Sequence, residues 1–325
     1  MRKFPAHPEN SAVNLMISEN ELKNKFEKNC EVCGGGSFNV LIDEGRDYEY
    51  GVNGVYKVYQ CADCGFAFQF PRLLSGQLED FYPINYANYA DSKSLIIQWL
   101  SSLYFKKQAD EIIGLTGENG IILDIGCSNG HFLEMLKKKG CKNLYGIEVK
   151  SEIAEIAKKK GFNVCAGQLT DKIYEENKFD LIRMNHLIEH TTYPSEVFRI
   201  CLKILKKGGY LYGETPNIDC VDFKILKKYW GCLHLPRHTV FFSENNLRML
   251  SSKFSFQAES ISYSPMTPGW SLGFQNFLCD NLKITPENGR LSIYPLLVLA
   301  SIPAVQIQKF LKKTCVIKFI LKKNE

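Results

Sequence analysis

A chain of 325 residues is too long for one small core and suits a main body with one or two additions. Its 45% apolar and 23% charged content excludes a disordered or fibrous chain. The formal charge of +5 sits wholly in residues 309–325, six lysines against one acid. Residues 1–308 therefore balance to zero and lack the broad basic face of a chain built to bind nucleic acid.

Residues 1–24 read as a tail. With no apolar run of signal-peptide length there, the expected location is the cytosol. Residues 25–80 read as a small zinc-ribbon-like module. "CEVCGG" and "CADCGF" supply Cys30, Cys33, Cys61 and Cys64, two C-x-x-C pairs flanking a hairpin expected to turn at Asn53-Gly54. Four such thiolates suit a tetrahedral Zn2+, with an iron–sulfur centre as the alternative. Four protein ligands leave no open position, so this metal is expected to hold structure rather than do chemistry. The other eight cysteines have no paired spacing and read as reduced, buried thiols.

A linker leads to a helix over residues 94–113, after which strands and helices alternate. The pattern predicts strand 120–125, helix 131–139, strand 143–148, helix 153–160 and a short strand around 164. Strand 179–184, helix 195–205, strand 209–215, helix 244–252 and a strand through "SFQAESISY" follow. Such alternation predicts an α/β fold with a doubly wound, mostly parallel sheet.

"ILDIGCSNGHF" is a strand that opens into a glycine loop, and it departs from the dinucleotide fingerprint: Ser128 stands where a middle glycine would, and Asp124 would repel a phosphate. In "NLYGIEVK", Glu148 ends the next strand, where a carboxylate accepts from a ribose diol. Acid, glycine loop and second acid together describe a nucleoside joined to an amino acid.

"LDIGCSNG" followed by "GIEV", "FDLIRMNHLIEH", "LKKGGYLYGETPN" and "LPRHTVFFSENNLRMLSSKFSF" resembles the class I S-adenosylmethionine-dependent methyltransferases over roughly residues 105–263. With the cysteine module, it is similar to methyltransferases of sugar and surface-polysaccharide biosynthesis. The resemblance implies a seven-stranded Rossmann-like sheet with a core over residues 81–263. Its final strand, residues 315–325, would run antiparallel between the fifth and sixth strands, making residues 264–314 an insertion. It also implies that Gly126, Cys127 and Gly130 approach the methionine part through backbone, with Asp124 near it. Glu148 would bind the ribose, Gln168 would lie by the adenine, and Asn185 and Tyr82 would complete the cofactor site, with Tyr86 beside Tyr82 in an aromatic lid.

The insertion holds "LSIYPLLVLASIPAV", shorter than a membrane span and interrupted by Pro295 and Pro303. It reads either as a cap or dimer face, or as a peripheral membrane contact through residues 290–323 at the inner face of the membrane.

In "MNHLIEHTTYP", His186, Glu189 and His190 share one face if the segment is helical. They read as a brace of the turn, as a general base (His186 or His190), or as a divalent-metal site like that of methyltransferases with an acid-x-x-Glu-His pattern. "WGCLHLPRHTVFFS" supplies His234, Arg237 and His238. His238 is the first choice for the base, and Arg237 for a substrate phosphate or carboxylate. The expected acceptor is a small molecule, nucleotide sugar or lipid-linked glycan precursor, methylated at oxygen or carbon. An RNA methyltransferase gripping its substrate through the zinc module is disfavoured by the neutral body and by Asp43, Glu44, Asp47 and Glu49. A non-catalytic S-adenosylmethionine binder is the third reading; oligomeric state is open.

Overall fold

A computed structural model describes residues 29–73, 78, 81 and 95–324. The tail assigned to residues 1–24, and Tyr82 and Tyr86, lie outside the described residues.

Three strands come first: β1 (Phe38–Gly45), β2 (Tyr56–Cys61) and β3 (Ala67–Phe70). Helix α1 (Leu95–Thr116) leads into β4 (Ile121–Ile125), α2 (His131–Lys138), β5 (Asn143–Glu148), α3 (Ser151–Lys159) and β6 (Asn163–Ala166). Then follow β7 (Phe179–Asn185), α4 (Pro194–Ile204), β8 (Leu205–Pro216), α5 (Val221–Leu226), β9 (Val240–Phe241) and α6 (Glu244–Lys253). The last elements are β10 (Phe256–Ser264), α7 (Pro268–Leu282), α8 (Tyr294–Phe310) and β11 (Val316–Lys323).

Seven strands form one sheet in the order β10-β11-β8-β7-β4-β5-β6. β4 to β8 run parallel, and β11 lies antiparallel between β8 and β10, as the resemblance implied. Successive residues of β4 feed opposite faces: Ile122 packs with Leu133, Leu136 and Ile112, whereas Leu123 and Ile125 pack with Ile182, Phe198 and Leu247. Burial on both faces is why the strand reads as an apolar run interrupted only by Asp124. Helices α2 and α3 carry an acid in the first turn and lysines in the last, matching the helix dipole. Ser243 and Asn246 form a reciprocal capping box that starts α6.

Three expectations need correction. β8 begins at Leu205 rather than 209, because Leu205 already pairs with Phe179 before the ladder resumes at Leu181 and Tyr210. The connection between β1 and β2 is not a tight Asn53-Gly54 turn. It is a ten-residue loop, residues 46–55, organised by Asp47, whose carboxylate accepts from the amides of Glu49, Tyr50 and Val52. Pro303 does not break the apolar run: α8 passes through it, with Pro295 in the first turn, where its missing N–H costs nothing. Among the described residues, no helix is long and apolar enough to cross a membrane.

A second sheet has the order β1-β2-β3-β9. Its last strand comes from "PRHTVFFS", far along the chain, with Phe68 paired to Val240 and Ala67 to Phe241. The cysteine-bearing strands are thus joined edge to edge with the segment that carries His238.

Candidate active site

The loop after β4 crosses the carboxyl end of the parallel strands, where ligands bind in open α/β sheets. Gly126 adopts a left-handed φ of +77°, and a Cβ there would lie 3.1 Å from Leu187. Gly130, at φ +80°, starts α2, where a Cβ would press on Ala157 and Phe162. The amides of Gly126 and Cys127 both donate to the Ile147 carbonyl, and the Cys127 side chain fills the space above Gly146. These two residues therefore offer close backbone approach, not free amide donors. Glu148 is oriented in advance: Ser128 N donates to Oε2 at 2.9 Å and Lys150 N to Oε1 at 3.1 Å. Burial nevertheless raises its pKa. Gln168 is exposed, two residues beyond β6.

Asp124 is fully buried, and Arg183, its neighbour in register on β7, donates to Oδ1 at 2.7 Å. The acid expected near the methionine part is held beneath the loop by this cation, with Oδ2 buried and without a hydrogen-bond partner. Arg183 also lies over the Phe132 ring and donates to Gln108, which donates to the Tyr104 hydroxyl. Tyr104 donates in turn to Glu214 and accepts from Asn185 Nδ2. Asn185 Oδ1 is buried and unpartnered. One polar chain thus connects Asp124 to the end of β8. Arg183, Tyr104, Gln108 and Glu214 escaped the sequence reading; the opposite charges of Asp124 and Arg183 on adjacent strands were the available signal.

After β7 the chain does not form an α-helix. His186 takes a left-handed φ of +49°, and residues Ile188–His190 make a single 3-10 turn. The backbone N–H of His186 donates to the Glu214 carbonyl, which fixes that conformation. The expected shared face is therefore lost. Instead His186 Nδ1 lies 3.3 Å from Glu189 Oε1, and Nε2 lies 3.9 Å from Glu214 Oε2. Glu189 is fully buried and also accepts from Thr215 Oγ1. Burial alone would depress the His186 pKa, but the bond to Glu189 and the charges of Glu189 and Glu214 outweigh it and raise it. With its side chain 39% exposed, His186 is open at the mouth.

His238 is only 6% exposed and its Nδ1 bonds the Cys232 carbonyl at 2.9 Å. Burial drives its pKa well down, and His190, beside it, is lowered for the same reason. The His190 and His238 rings meet edge-on at 4.6 Å, and His234 approaches His238 at 4.9 Å. Glu189, His190 and His238 each bring a metal-ligand atom within 4.8 Å of the others, so this grouping contains His238 where the sequence pattern placed His186.

Arg237 does not await a substrate anion. It is fully buried in a two-pronged ion pair with Asp47 from the β1–β2 loop. Glu49 likewise pairs with His234 and Arg290. Two of the four acids that count against RNA binding are thus buried structural partners of this mouth.

Behind β9 the sulfurs of Cys30 and Cys64 lie 3.6 Å apart and those of Cys33 and Cys61 3.5 Å apart, all four clustered within 4.8 Å. A Zn–S distance of about 2.3 Å places tetrahedral sulfurs about 3.8 Å apart, so the donors fit that ion. The remaining cysteines are free thiols, all buried except the half-buried Cys165.

A family model described as a methyltransferase domain matches residues 100–261. A ubiquinone biosynthesis O-methyltransferase of Pseudomonas fluorescens is 30% identical over 193 residues, 54% of this chain and 82% of that one. One of the same description from Aliivibrio fischeri is 27% identical over 176 residues, 49% of this chain and 74% of the relative. A solved structure from Galdieria sulphuraria, described as a candidate sarcosine dimethylglycine methyltransferase, matches with a TM-score of 0.51 over 68% of this chain and 86% of that one. At 15% identity it bears on the fold alone. Strand order, domain match and relatives agree: the chain belongs to the class I S-adenosylmethionine-dependent methyltransferases.

Proposed function

We propose that this methyltransferase acts on a hydroxyl of a small-molecule, nucleotide-sugar or lipid-linked glycan acceptor, with His186 receiving the proton. The observation that carries the reading is the His186–Glu189 pair at the open mouth, backed by a fully buried carboxylate. A hydroxyl needs a base at the moment of transfer, whereas a thiolate or free amine does not. Relatives named as O-methyltransferases point the same way.

S-adenosylmethionine supplies an electrophilic methyl carbon on a good leaving group, so the protein's share is alignment and proton removal. Glu148, oriented by two amides, takes the ribose diol. The unpartnered oxygens of Asp124 and Asn185 face demands for donors that a bound amino acid group or its water satisfies. Glu189 holds the His186 ring and stabilises the imidazolium formed, while Glu214 lends a second negative charge. Cys30, Cys33, Cys61 and Cys64 would hold a zinc ion that serves structure rather than chemistry.

The test is release of S-adenosylhomocysteine with a panel of nucleotide sugars, lipid-linked glycans and phenols, wild type against His186→Ala. Acceptor-dependent turnover lost in the variant supports the reading; turnover on RNA alone sinks it. The Glu189, His190 and His238 grouping supports a second reading, a divalent cation gripping the acceptor oxygen. Under that reading chelation abolishes turnover and Mg2+ or Mn2+ restores it, with the cysteine-bound zinc still counted in the protein.

A further inference from the structure

Helix α8 is turned inside out. Its inward face carries Ser301, Val305 and Gln308; Gln308 donates to the buried Asp222 and accepts from the indole of Trp270. Its outward face carries Leu296, 65% exposed, with Leu299, Ile302, Ile307 and Phe310, the last 88% exposed. A surface helix ordinarily shows the reverse arrangement. Helix α7, packed against it, adds exposed Phe277 and Leu282. Residues 288–324 contain seven lysines and arginines and no acid; Arg290, Lys313 and Lys318 pair with Glu49, Asp219 and Glu111, while Lys309 and Lys312 stand exposed. Phe310 and Leu311 are exposed between exposed Lys309 and Lys312.

We propose that the outward face of α8 rests on an anionic lipid bilayer, Phe310 and Leu311 entering the interface and Lys309 and Lys312 meeting headgroup phosphates. The hydrogen bonds of Gln308 keep the helix on the protein, and at about 25 Å it lies in the membrane plane rather than crossing it. A second copy fits the same face less well, since a two-fold contact would offer these lysines no acid from residues 288–324. The surface is tied to the mouth: Arg290, just before α8, bonds Glu49, which pairs with His234, whose ring abuts His238.

The test is flotation of the full chain with phosphatidylcholine vesicles, with and without phosphatidylglycerol. Wild type is expected to float with the anionic vesicles and less so in raised salt. The double variant Lys309→Glu/Lys312→Glu should weaken binding at least about tenfold. Phe310→Ser should also weaken it, and both should keep wild-type S-adenosylmethionine affinity, which excludes misfolding. Absence of wild-type flotation, or equal flotation by all three proteins, overturns the proposal. A dimer in solution that Phe310→Ser dissociates, without vesicle binding, would make the face an interface between copies and overturn it too. Binding is read with no acceptor present, so this failure is distinct from failure of the hydroxyl-acceptor reading.

Discussion

The two sides of the sheet's carboxyl edge are assembled differently. Beneath the loop after β4, the groups that shape the cofactor side come mostly from residues 124–150, with Gln108, Arg183 and Asn185 as the distant additions. The mouth after β7 and β8 draws on Asp47, Glu49, Tyr104, His186, Glu189, Glu214, His238 and Arg290, spread over most of the chain. A site made by one contiguous loop tolerates variation elsewhere. One made by many segments depends on the packing of each.

The sharpest way to break this contrast is at the proton acceptor. His186→Ala should lower kcat by about 10^2 to 10^4-fold while leaving the S-adenosylmethionine Kd unchanged. If His238→Ala falls as far and His186→Ala does not, the base is His238, and the buried ring rather than the open one does the chemistry. Next in size is Asp47→Ala, which takes both ion-pair hydrogen bonds from the buried Arg237 and should cost about 3–5 kcal/mol of stability, read from denaturant unfolding. Turnover should fall with it, because the Arg237 carbonyl holds His190. Retained S-adenosylmethionine affinity would confirm that the cofactor side stands apart.

The cofactor side has its own counterpart. Glu148→Ala should weaken S-adenosylmethionine by about a hundredfold in calorimetric titration, the loss of two charged hydrogen bonds. The smallest effect concerns acid. Burial by itself would favour neutral Glu49, but His234, Arg290 and Arg237 hold its pKa down to about 2 from an ordinary 4.5. Because the folded value is depressed, the stabilisation is present above pH 4.5 and is lost as pH falls towards 2. Unfolding curves for wild type and Glu49→Gln should therefore converge over that window; a constant gap would refute the assignment.

The same contrast explains what could be read from residues alone. Strand positions and the glycine loop are legible because local period and turn chemistry carry them: Ile121–Ile125 is buried on both faces, and Gly126 occupies a conformation that side chains avoid. The antiparallel placement of β11 came from resemblance, since no local signal separates a fifth-strand neighbour from a sheet edge. Arg237 was misread because its partner lies 190 residues earlier. Charge in a loop beside histidines looks the same whether it awaits an anion or already holds one. Likewise His186, Glu189 and His190 keep a helical spacing that the left-handed turn at His186 undoes.

The shared strand β9 bears on anyone who would trim this enzyme. Cutting away everything before α1 to obtain a minimal catalytic body would remove β3, the hydrogen-bonding neighbour of Val240 and Phe241, and would expose both apolar residues along an open edge. The same cut would discard Asp47 and with it the two-pronged ion pair that holds the buried Arg237. The short strand is in effect a keystone, and neither side of the arch stands as a separable part.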